Sequence, residues 1–217
     1  YKKTEIMSKK FFLSILALFL ATSAFAQIDP QAATALDKTA SAILNKSSHY
    51  IFDMKVCNAS GKQISTSEGE FFIKKDRFKL IHPDMSIFYD GKTQWTLNEK
   101  SEEVNINTPT EGELEEINPM QIFAHYKDNF KARYNSDSST AEVSNVDLFP
   151  NDREKPYFRI NFQIRKSDNQ PIKIISYSKD GSSITFDIKK IDNPTINDSE
   201  FVFDTKKFPN IEIIDLR

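Results

Sequence analysis

Apolar and polar residues alternate along most of this chain. From His49 to Cys57, Tyr50, Phe52, Met54 and Val56 are interleaved with Ile51, Asp53 and Lys55. That period of two belongs to a strand with two unlike faces. Asn58 to Gly61 supplies a turn, and Lys62 to Lys75 is the return strand, ending in Phe71-Phe72-Ile73. Asp76 turns the chain into Arg77 to Ile81, which places Phe78 and Leu80 on one face. His82-Pro83-Asp84 then leads into Met85 to Asn98, two strands joined at Asp90-Gly91. Asp-Gly suits a tight hairpin, because glycine adopts positive φ without steric cost and Asp bonds back to its own backbone. Trp95 and Leu97 share a face of the second strand, and Glu102 to Ile106 adds another.

Two stretches carry a helical period instead. In Pro30 to Asn45, Ala33, Leu36, Ala40, Ile43 and Leu44 form one stripe behind an Asp29-Pro30 start signal. In Thr108 to Tyr126, Leu114, Ile117, Ile122, Phe123 and Tyr126 form a second. Thr110 with Glu113 has the spacing of a capping box, and Pro119 interrupts the segment, which predicts two short helices or one kinked helix. Strands resume at Lys131 to Tyr134 and Thr140 to Leu148, followed by Pro156 to Lys166 with Phe158, Ile160, Phe162 and Ile164 alternating. Ile172 to Ser178 and Ser183 to Ile191 follow, the latter with Ile184, Phe186 and Ile188 on one face. The tail holds Phe201, Phe203, Phe208, Ile211 and Ile213.

About ten or eleven short strands, not interleaved with helices, exclude a parallel α/β fold. The expected class is mainly β (α+β): an unclosed antiparallel β-barrel with an N-terminal helix and a helical lid, about residues 108–129, over an apolar cavity. A sandwich is the alternative. Phenylalanine occurs 18 times, more apolar face than two helices cover, and a curled sheet of this size can enclose a ligand cavity. The candidate lining of a cavity for a long apolar ligand is Phe52, Met54, Phe71, Ile73, Phe78, Leu80, Trp95, Leu97, Ile106, Ile122, Phe123, Phe158, Ile160, Phe162 and Phe186.

Before the fold, Ser8-Lys9-Lys10, the apolar run Phe11 to Ala21 and the small-x-small Ala24-Phe25-Ala26 read as a secretory signal peptide cut after Ala26. Gln27 stands where a lipoprotein would need cysteine, so the expected product is a soluble periplasmic domain, residues 27–217. The whole chain carries a net charge of −2, and the leader takes away four lysines against one glutamate. Nothing here forms the basic stripe of a nucleic-acid binder. The single cysteine, Cys57, permits no internal disulfide.

Candidate chemistry is sparse. His49, His82 and His125 are far apart, with no zinc-protease, hydrolase-elbow or phosphate-loop motif and only five glycines. Glu113, Glu115 and Glu116 form the densest acidic cluster, at the start of a helix where negative charge is favourable. No catalytic residue, metal or cofactor is expected. A hydrolase would need a site assembled in space.

Several segments resemble the LolA family of periplasmic lipoprotein carriers. They are Gly69-Glu70-Phe71-Phe72-Ile73-Lys74-Lys75-Asp76-Arg77-Phe78-Lys79-Leu80, Asp90-Gly91-Lys92-Thr93-Gln94-Trp95, Glu200-Phe201-Val202-Phe203 and the terminal Asp215-Leu216-Arg217. Asn98 to Val104 and Ile117-Asn118-Pro119 resemble the Bacteroidetes branch. The resemblance implies an open barrel with a helical lid and no enzymatic activity. It also implies partners: triacylated lipoproteins, an inner-membrane ABC exporter that supplies them and an outer-membrane acceptor. The carrier is expected to be a monomer. Lys75 matches an arginine that latches the lid in the family, and Phe78 and Leu80 match an aromatic pair at the cavity mouth. The alternative is a lipid-binding sensor of the same shape, or a carrier of another envelope lipid.

Overall fold

The computed structural model of the protein describes residues 28–118 and 120–217. The expected leader, residues 1–26, lies outside them. Helix α1 (Pro30–Leu44) precedes strands β1 (Ser48–Cys57), β2 (Gln63–Lys74), β3 (Arg77–His82), β4 (Met85–Tyr89), β5 (Gln94–Asn98) and β6 (Glu103–Asn107). Two short helices follow, α2 (Glu111–Ile117) and α3 (Ile122–Asn129). Then come β7 (Phe130–Tyr134), β8 (Val143–Pro150), β9 (Tyr157–Arg165), β10 (Gln170–Ser178), β11 (Ser183–Asp192) and β12 (Glu212–Asp215).

The twelve strands form one sheet in the order β12-β6-β5-β4-β3-β2-β1-β11-β10-β9-β8-β7. Its two end strands do not pair with each other, so the barrel is unclosed. All pairings are antiparallel except β12 on β6. This strand exceeds the expected ten or eleven because the tail crosses the convex face and returns alongside β6 in the same direction.

Local signals explain the element boundaries. Asp29 caps α1, its carboxylate accepting from the Gln31 and Ala32 amides. Thr110 and Glu113 complete the capping box of α2. In the β4–β5 turn, Asp90 Oδ1 accepts from the Lys92 and Thr93 amides, and Gly91 has φ of 99°. An added Cβ there would stand 2.7 Å from the Asp76 carboxylate. The β2–β3 and β4–β5 turns therefore sit together at one end of the barrel.

The main core lies on the concave face. Cross-strand partners share a face, so the registers trace one apolar lining through Ile73–Phe78–Tyr89 and Phe71–Leu80–Ile87. It continues through Phe52, Met54, Phe186, Ile174, Phe162 and Val146. Leu36 and Ile43 of α1, with Ile122, Phe123 and Tyr126 of α3, cover it. Each large apolar side chain buried there contributes about 1.5–3 kcal/mol.

At β5 and β6 the polarity of the sheet reverses. Gln94 and Thr96 continue the concave rows of Tyr89 and Ile87, and Asn107 and Asn105 extend them. Trp95, Leu97, Val104 and Ile106 point the other way. There Leu97 and Val104 form a second small core with Phe203, flanked by Trp95, Phe88, Phe208 and Ile211. Phe88 meets Phe203 at 5.7 Å and Phe203 stacks on Phe208 at 5.1 Å between centroids.

Candidate functional site

The concave groove is the candidate site. Of the residues expected to line it, Phe52, Phe71, Ile73, Phe78, Ile122, Phe123, Ile160 and Phe162 are buried in one cluster, with Met54, Leu80 and Phe186 packed against it. Phe123 of the lid contacts Phe162 of the sheet at 4.7 Å. Tyr50, Met120, Ile174 and Ile188 join them around a residual void of about 20 Å³. Such a void holds one water at most. Tyr50 and Ile188 belong to the same alternations as Phe52 and Phe186, so the sequence pattern already pointed to them.

Four expected lining residues stand elsewhere. Trp95, Leu97 and Ile106 lie on the convex side of β5 and β6, because the tail supplies an apolar cover there and the concave side of these strands is polar. The three consecutive apolar residues Ile87-Phe88-Tyr89 signalled a strand buried on both faces. Phe158 is 48% exposed. The β9–β10 register passes from Arg159 to Tyr157 and skips it, a bulge that turns its side chain out of the lining.

The structure gives the expected latch residue, Lys75, no hydrogen bond or ion pair with the lid among the described residues. Lys75 is an exposed residue with φ of 58° in the β2–β3 turn. The lid meets this turn through Gln121 instead, whose Nε2 donates to the Asp76 carbonyl at 3.4 Å. Firmer attachments lie on other elements. Glu115 of α2 faces Lys155, from the β8–β9 connection, at 3.3 Å, with side chains 3% and 14% exposed. Asn129 Nδ2 donates to the same carboxylate at 2.7 Å, and Lys155 Nζ donates to the Gly112 carbonyl at 3.2 Å. The acidic cluster read as helix-start charge thus includes one buried clasp. Tyr126 donates to Asp37 of α1 at 2.7 Å. Burial pushes the Asp37 carboxyl up, but bonds from Tyr126 and Lys127 outweigh it and hold the group below the usual carboxylate range.

Elsewhere, His49 stacks on Phe72 and bonds Glu70, while His82 bonds Ser67. His49 and Cys57 occupy opposite ends of β1, roughly 26 Å apart along a strand, so they do not form a thiol–imidazole pair. Among the described residues no group of His, Cys, Asp and Glu is placed to hold a metal, and no helix is long and apolar enough to cross a membrane.

An open antiparallel barrel whose apolar concavity is covered by helices defines a class of lid-covered binding folds. The chain belongs to the outer membrane lipoprotein carrier protein LolA family, whose profile matches residues 22–155. Members of this family are carrier or binding proteins. No curated protein matches the chain in sequence. An uncharacterized conserved protein from Thermus thermophilus superposes with a TM-score of 0.59 at 6% identity, covering 85% of this chain and 99% of that one. The two share a fold. A LolA superfamily protein from Nitrosomonas europaea gives 0.46 at 12% identity, covering 79% and 97%. The lipoprotein LppX of Mycobacterium tuberculosis gives 0.43 at 8%, covering 78% and 98%.

Proposed function

We propose that this protein is an envelope carrier that shields acyl chains, those of triacylated lipoproteins first among them, in its concave groove. The observation that carries this reading is the pairing of a continuous apolar concave face with a cover made of helices. A sheet closed by its own strands would open only by breaking ladder hydrogen bonds. Helices held by a few side chains can move aside. Burying an acyl chain yields about 0.8 kcal/mol per CH₂, so a groove of this composition holds lipid strongly once the lid admits it. The void of about 20 Å³ is far smaller than an acyl chain, so in this reading the lid must lift from the sheet to admit one. In this reading the carrier works in the periplasm as a monomer, receives cargo from an inner-membrane ABC exporter and delivers it to an outer-membrane acceptor.

Native mass spectrometry of the protein isolated from its own cell envelope, paired with release of a triacylated lipoprotein from spheroplasts, tests the proposal. Bound acyl mass and release above buffer support it. Release no better than buffer, with no acyl mass bound, overturns it. A bound lipid without lipoprotein release assigns the protein to the carriers or sensors of another envelope lipid.

A further inference from the structure

The groove has a polar end. On the concave face of β5 and β6 stand Gln94, Thr96, Asn105 and Asn107, in line with Tyr89 and Ile87 of the apolar lining. Gln94 is 5% exposed. Its Nε2 donates to Thr96 Oγ1 at 3.2 Å, and its Oε1 is buried without a partner among the described residues. Asn118, between α2 and α3, is 1% exposed. Its Oδ1 accepts from the Met120 amide at 2.9 Å, and its Nδ2 is buried without a partner among the described residues. Both residues belong to the same end of the barrel. Gln121, next to this junction, bonds Asp76, and Asp76 lies against Gly91 of the turn that leads to Gln94.

Buried amides without partners are rare, because each loses its hydrogen bonds to water and regains none. The two differ in what they fix. The Met120 amide sets the orientation of Asn118, so the free group is a donor. Gln94 can turn over, since the Thr96 hydroxyl both donates and accepts. Its free group therefore adapts to the ligand.

We infer that the Gln94–Asn118 end of the groove is a subsite for the acyl carbonyl, the ester or amide group where an apolar chain joins its polar head. This rests on the carrier reading and adds polarity and direction to it: chain along the apolar lining, carbonyl at Asn118 Nδ2. An ester offers only acceptors. An amide adds an N–H that Gln94 Oε1 accepts. An ether of equal length offers no carbonyl.

Displacement of a fluorescent fatty acid by 1-palmitoylglycerol, N-palmitoylserinol and 1-O-hexadecylglycerol tests this. The ester and the amide should bind roughly threefold to tenfold tighter than the ether, the range of one net hydrogen bond. Asn118→Leu should erase the difference while leaving ether binding in place. Preference for the ester alone or the amide alone supports the subsite and names its source. Equal affinity of all three for the wild-type protein overturns the subsite and leaves the carrier reading standing. Failure of all three to bind removes the carrier reading itself. The wild-type ratios decide the matter even if Asn118→Leu does not fold.

Discussion

Glu115 and Lys155 meet at 3.3 Å with both side chains sheltered from water. One stands on the lid and the other on the connection between β8 and β9. Removing one member of a buried pair leaves an uncompensated charge, at a cost of about 3–5 kcal/mol. Lys155→Met should therefore favour lid opening by roughly a hundredfold to a few thousandfold. Hydrogen exchange over residues 111–129 should accelerate, with the strands little changed. Lys75→Met should leave the same exchange unaltered. Equal effects of the two changes would return the latch to the β2–β3 turn.

Trp95, the only tryptophan, flanks the small convex core and not the groove. Loading the protein with a fatty acid should leave its emission maximum in place. Phe123→Trp puts a reporter on the lid against Phe162, and its emission should shift on loading. A Trp95 shift as large as that of the lid reporter would place the ligand on the other face.

Gly69 faces Phe52. A Cβ there would stand 2.5 Å from Phe52 Cζ and 3.1 Å from the Ile81 carbonyl oxygen. Phe52 is buried and meets Phe186 edge-on at 5.4 Å, so its ring has little room to yield. Gly69→Ala should cost about 1–3 kcal/mol through overpacking. Urea denaturation measures this, and adding Phe52→Leu should recover part of the loss.

Tyr50 donates to Gln170 Oε1 at 3.0 Å in the core. Burial pushes its hydroxyl up to about 12, above the ordinary value of about 10. The folded state thus favours the neutral form. This stabilisation is complete below about pH 10 and is lost as pH rises toward 12. Tyr50→Phe should be less stable by about 1 kcal/mol at pH 8, having left Gln170 unpaired. Thermal melts should show this gap narrowing between pH 10 and 12. A gap constant with pH would remove Tyr50 from the alkaline limit.

Features encoded within a few residues were legible in the sequence. Asp29, the Thr110–Glu113 box and the Asp90-Gly91 turn each act on their immediate neighbours. Alternation likewise grouped Phe52, Phe71, Phe78 and Phe162. It did not decide which side of a strand faces inward, since Trp95 and Leu97 alternate as cleanly as Phe78 and Leu80. Their side depends on Phe203, Phe208 and Ile211 arriving from the distant tail. The bulge at Phe158 and the meeting of Glu115 with Lys155 are also products of register and long-range packing, which no local pattern records.

The lid runs from β6, beside one border of the sheet, to β7, which forms the other border. It is therefore a strap fixed at both ends across an open seam, not a door on one hinge. Such a strap moves aside by lifting along its length, not by swinging on one end. It can only bow outward or slacken as the borders approach, so the width of the seam and the height of the strap are mechanically linked. In the carrier reading, a partner that grips either border would change the height of the strap without touching the helices that cover the groove.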